Sequence, residues 1–192
     1  TLATGGSGDV VSYSTGSGSQ YLDFVYTVGT GDTNSDLDYA STSALALVGS
    51  ATIKDVNGND ATLTLASPGA TNSLADSKAL VIDTAAPTLS SVSIASNNST
   101  TTLAKVADVV TLTFTASETI ATPVVTFQSG GAAIADTSIT YTNTSGTTWT
   151  AAYTADGADT DGSVTYSIAF SDLASNAGVA VTSGSGSVTF DG

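Results

Sequence analysis

Apolar and polar residues alternate along most of this chain. Tyr21-Leu-Asp-Phe-Val-Tyr-Thr-Val28 sets Leu22, Phe24, Tyr26 and Val28 on one face of an extended segment. Val109-Val-Thr-Leu-Thr-Phe-Thr115 does the same with Val110, Leu112 and Phe114, and residues 148–154 and 163–170 follow the same rule. A period of two is the signature of a strand with one buried face. Thr, Val and Tyr, which dominate these runs, suit a pleated surface. Short Gly, Asn, Asp and Ser clusters separate them. Short strands punctuated in this way predict an all-β sandwich and argue against parallel βαβ units. No convincing helical pattern is present.

The pattern then recurs. Tyr26-Thr-Val-Gly-Thr-Gly-Asp-Thr-Asn-Ser-Asp-Leu-Asp-Tyr39 has a partner in Tyr153-Thr-Ala-Asp-Gly-Ala-Asp-Thr-Asp-Gly-Ser-Val-Thr-Tyr166. An offset of 127 puts Asp32 on Asp159 and Thr33 on Thr160. Each copy continues into an Asp-rich turn, Asp55-Val-Asn-Gly-Asn59 and Asp172-Leu-Ala-Ser-Asn176, and closes on an apolar run, Leu80–Asp83 and Val188–Asp191. Matching order predicts two copies of one sandwich, residues 1–84 and 85–192. The first copy carries about ten extra residues around Ala44 to Ile53, expected to form an added strand or wide hairpin. The link, Asp83-Thr-Ala-Ala-Pro-Thr88, is short and stiffened by Pro87.

The segments "YTVGTGDTNSDLDYAS", "IKDVNGNDATLTL", "VIDTAAPT", "TFTASETI" and "SDLASNAG", in that order, resemble the tandem bacterial immunoglobulin-like repeats of very large cell-surface adhesins. The resemblance covers nearly the whole chain. It implies an extracellular, bacterial cell-surface, non-enzymatic protein, with calcium bound at domain junctions. The first copy departs from the pattern. Tyr153 lies 66 residues after Pro87, whereas Tyr26 lies only 25 after Thr1, so the first copy is about 41 residues short. The expectation is that it lacks its N-terminal strands, because the chain is a fragment of a longer array or because a neighbouring molecule supplies them.

Charge narrows the chemistry. There are 17 acids against three lysines (Lys54, Lys78 and Lys105), with no His and no Cys, for a net charge of −14. Nucleic acid is excluded as a partner, because phosphate contacts need Lys or Arg. An anionic membrane surface is excluded for the same reason, and no apolar run approaches the ~20 residues of a membrane helix. Without His or Cys there is no Ser–His or Cys–His nucleophile and no soft metal site. A pair of carboxylates for glycoside cleavage would need an aromatic-lined cleft. The single tryptophan, Trp149, sits instead in an alternating strand and reads as core, as do Tyr26, Tyr39, Tyr153 and Tyr166.

What remains is oxygen-donor chemistry. In an alternating sandwich the loops divide between two poles. One pole of the second copy should carry Asp83 from the link, Glu118, Asp172 and Asn176; the other should carry Asp156, Asp159, Asp161 and Asp191. Stacking the copies brings Asp32, Asp36 and Asp38 towards the first of these poles. Carboxylates about 5 Å apart repel by roughly 1 kcal/mol in water. Calcium, which takes 6–8 oxygen ligands with irregular geometry, removes that repulsion. Asp, Asn and Gly also build ordinary turns without any ion. Two known calcium motifs are absent. Counted from Asp55, an EF-hand would need Gly at position six and Glu at twelve, where Asp60 and Ala66 stand. The single "GGSGD" at Gly5–Asp9 is no nonapeptide repeat.

The sequence therefore predicts an extracellular structural or adhesive spacer stiffened by Ca2+. Its partners would be neighbouring immunoglobulin-like domains or identical subunits, with a cell-surface or glycan receptor possible. Two alternatives stand beside it: a subunit of an extracellular filament completed by a neighbour's strands, and an accessory carbohydrate-binding module of a secreted enzyme.

Overall fold

The computed structural model describes residues 1–192, and they divide into two compact units, Thr1–Ala85 and Ala86–Gly192. The chain is nearly all β.

In the first unit regular structure is sparse. Strands β1 (Tyr13–Thr15) and β2 (Asp23–Phe24) form a two-stranded antiparallel sheet. The rest is held by backbone pairs between segments far apart in sequence. Ala3 N donates to Asp38 O (2.8 Å), Asn34 and Ile82 exchange hydrogen bonds (2.9 and 2.8 Å), and Leu37 N donates to Leu80 O (2.7 Å). The expected strand Tyr21–Val28 is regular only at Asp23–Phe24, because it has a partner on one edge alone. Residues 44–53 form no strand, and Leu80–Asp83 contributes only a single bridge through Ile82. A one-turn helix, α1 (Leu74–Ser77), was not foreseen. Its N-cap Ser73 accepts a hydrogen bond from Asp76 N, and the side chain of Asp38 accepts from Leu74 N. Of the hydrophobic side chains in this unit, only Leu37 is fully buried.

The second unit is a sandwich-like pair of sheets. Its strands are β3 (Leu89–Ser96), β4 (Leu103–Ala104), β5 (Val109–Ala116), β6 (Val124–Ser129), β7 (Ala132–Ala133), β8 (Thr140–Ser145), β9 (Thr148–Thr154), β10 (Gly162–Ala169) and β11 (Thr189–Phe190). One sheet runs β3-β5-β9-β8, the other β4-β11-β10-β6-β7. The alternation read from the sequence is the alternation of burial. In β5 every second residue is buried, and Val110, Leu112 and Phe114 stand opposite Tyr153, Ala151 and Trp149 of β9. The second sheet contributes Val125, Phe127, Val164, Ile168 and Phe190 to the same cluster, and the Phe127 and Tyr153 rings meet at 4.9 Å.

The last segment fastens the two sheets together. Val181 exchanges backbone hydrogen bonds with Ile168 of β10. Ser185 then switches to β3 in parallel, with its N donating to Val92 O (2.9 Å) and its O accepting from Ile94 N (3.1 Å). Finally β11 returns to lie between β10 and β4.

Candidate metal centre

Asp172 begins the turn after β10, and the turn is built by its own side chain. Oδ1 accepts from Asn176 N (2.8 Å) and Oδ2 from Asn176 Nδ2 (2.7 Å), while Asp172 N donates to Asn176 O. Ser175 closes the turn in the left-handed region, at φ 74°. Burial pushes the Asp172 carboxyl up, but the Asn176 side chain and backbone amides outweigh it and hold it below the ordinary carboxylate value.

Glu118 reaches Asp172 because its loop is clamped on both sides. Ser117 exchanges hydrogen bonds with Thr88, its N donating to Thr88 O (2.8 Å) and its Oγ accepting from Thr88 N (3.0 Å). On the other side, Ile120 bridges Asp172 and Ala121 N donates to Ser171 O. The Glu118 and Asp172 carboxylates lie within 4.8 Å of one another; Asp172 is buried and Glu118 partly so. Two oxygens on one calcium, each about 2.3–2.6 Å from it, stand no more than about 5 Å apart. The donor set is oxygen only, which suits a hard cation.

The same turn occurs in the first unit. Asp55 Oδ1 accepts from Asn57 N and Asn59 N, and Oδ2 from Asn59 Nδ2 (2.8 Å). Gly58 takes the left-handed position that Ser175 fills in the second turn. Here, however, the carboxylate is exposed, and the one charged side chain paired nearby is Lys54, 2.5 Å from Asp60.

The remaining expected ligands are spent differently. Asp32 Oδ2 accepts from Tyr26 Oη and from Gly29 N, both at 2.5 Å. These bonds hold the Asp32 carboxyl below its ordinary value; burial, with Asp32 behind it, pushes the Tyr26 phenol up to about 12. Asp36 is exposed. Asp38 is buried and braces the backbone, accepting from Tyr39 N, Leu74 N and Gly69 N. These three gather no group of ligand oxygens. Asp83, just before the end of the first unit, accepts from Ala85 N (3.0 Å). In the second unit Asp159 is buried, accepting from Ala135 N and Asp156 N, and Asp161 accepts from Gly192 N. Asp156, Asp159, Asp161 and Asp191 do not bring three ligand oxygens together. The clamp of Thr88 and Ser117 was missed in the sequence, since it joins residues 29 apart with no local signal.

Compared with known proteins, the chain matches no family model, no curated protein and no solved structure.

Proposed function

We propose that this chain is a non-enzymatic extracellular spacer, built of tandem immunoglobulin-like domains and stiffened by calcium. The observation that carries the reading is the Glu118–Asp172 pair, two carboxylates fixed close together with no cationic side chain among the described partners of Asp172. Calcium held by this pair ties the loop after β5 to the turn after β10 and stiffens the second unit.

An extracellular site works with a dissociation constant of about 10⁻⁴–10⁻³ M. Calcium at a hundred times its dissociation constant stabilises the folded form by about 2.7 kcal/mol. Calorimetric titration and thermal melts with and without 10 mM calcium test this. A binding heat and a raised melting temperature, both absent in Asp172→Ala, are expected; a chain whose melting ignores calcium refutes it.

A further inference from the structure

The β1–β2 hairpin of the first unit is the counterpart of β8–β9 in the second. An offset of 127 puts Thr15 and Asp23 on Thr142 and Thr150, which also stand opposite one another, while the irregularity between Tyr13 and Thr15 shifts the next pair by one residue. The inward positions Leu22, Phe24 and Tyr26 then fall on Trp149, Ala151 and Tyr153. Burial separates the copies. Trp149, Ala151 and Tyr153 are 9%, 0% and 1% exposed, whereas Leu22 is 38% and Phe24 44% exposed. The difference is one strand. β5 pairs with the far edge of β9 and sets Phe114, Leu112 and Val110 opposite those three residues. β2 has only β1 beside it.

We propose that the open edge and apolar face of β2 form a docking site for a β-strand with the chemistry of β5. Such a strand alternates Val, Leu and Phe with Thr and carries no charge. Its Phe packs on Leu22, its Leu on Phe24 and its Val on Tyr26, while its backbone completes the ladder that β2 begins. An unpaired edge beside exposed apolar side chains is the arrangement that strand addition uses. A second copy of β2 is the poorer occupant: in the register centred on Asp23, antiparallel self-pairing sets it against Asp23 of the other copy, and like charges across strands repel. The first unit also carries nine acids and two lysines, so two such units repel as wholes.

The test uses the full chain, without calcium, so it stands or falls apart from the metal reading. The probe is a synthetic peptide of the Asp108–Ser117 sequence with a lysine added at each end. Hydrogen exchange read by mass spectrometry should slow at least tenfold across residues 22–28. The protection should vanish with a peptide whose Val, Leu and Phe at the three inward positions are serine. It should also vanish in a Phe24→Ser chain whose first unit is still folded, shown by unchanged exchange at the Asn34 and Leu37 amides. No protection, or equal protection by the serine peptide, overturns the proposal. So does a peptide-free dimer in light scattering with residues 22–28 already protected, because the occupant is then a second copy.

Discussion

Replacing Gly186 by Ala should weaken the second unit far more than replacing Gly146 by Ala. Both glycines are in the left-handed region, Gly146 at φ 59° and Gly186 at φ 76°. An alanine there costs about 1–2 kcal/mol, partly offset by about 0.4–1 kcal/mol from a stiffer unfolded chain. Around Gly146, in the β8–β9 turn, a Cβ meets nothing within 4 Å. Gly146→Ala should therefore cost about 1 kcal/mol or less. A Cβ on Gly186 would stand 2.4 Å from the carbonyl oxygen of Ile94, so backbone must move. The segment that moves carries the Ser185–Val92 and Ile94–Ser185 hydrogen bonds. Losing both adds about 1 kcal/mol each, for a total near 3 kcal/mol. The one tryptophan, Trp149, lies in the core of this unit, so urea melts followed by its fluorescence read this unit alone. Equal midpoints for the two variants would refute the argument that contact, rather than backbone strain, makes Gly186 necessary.

Other consequences can be measured in the same way. The hydroxyl of Tyr153 is buried with no protein partner, so Tyr153→Phe should raise stability by about 1 kcal/mol; a clear loss in urea would show the hydroxyl to be satisfied. Burial, with Asp159 behind it, also pushes that phenol up to about 12, so its contribution is intact below about pH 10 and lost as pH rises through 12, a loss Tyr153→Phe should reduce in alkaline melts, leaving the part due to Tyr166, which burial also pushes up. Without calcium, Asp172→Ala should lower the Trp149-monitored melting temperature by roughly 5 °C, while Asp55→Ala, whose turn lies in the other unit, should leave it unchanged. Asp108 is held low by the Asn98 side chain, Asp136 by the Thr154 amide, and Asp172 by Asn176 despite burial. Their stabilisation is therefore present above about pH 4 and lost as pH falls through their folded values; acid melts unchanged from pH 5 to 2.5 would contradict this.

Where one face is buried, the sequence could be read directly. β5 and β9 alternate Thr with apolar residues because successive side chains point to opposite faces, and the burial of Val110, Leu112 and Phe114 follows that period. The same pattern misled at Tyr21–Val28. Alternation says which face is apolar, not whether a partner strand is there to cover it. The Asp172 turn was legible because its hydrogen bonds span four residues. Asp38 was not, since its partners Gly69 and Leu74 lie 31 and 36 residues away and depend on a helix whose only sequence signal is its Ser73 cap. Least legible was Ser183-Gly-Ser-Gly-Ser187. Its composition is that of a flexible linker, yet Gly184 and Gly186 are small because β3 lies against them.

That closing segment also sets how the second unit answers tension. Its first strand, β3, and its final residues run parallel where Ser93 meets Ser185, as do β4 and β11. Stretching the unit by its two ends drags such neighbours lengthwise past each other. Ser185–Val92, Ile94–Ser185, Thr189–Thr102 and Asp191–Ala104 then bear the load together, instead of opening one after another as in a peeled hairpin. Forced unfolding is governed by the unfolding barrier rather than by equilibrium stability. A run of small residues thus works as a shear clamp within this unit.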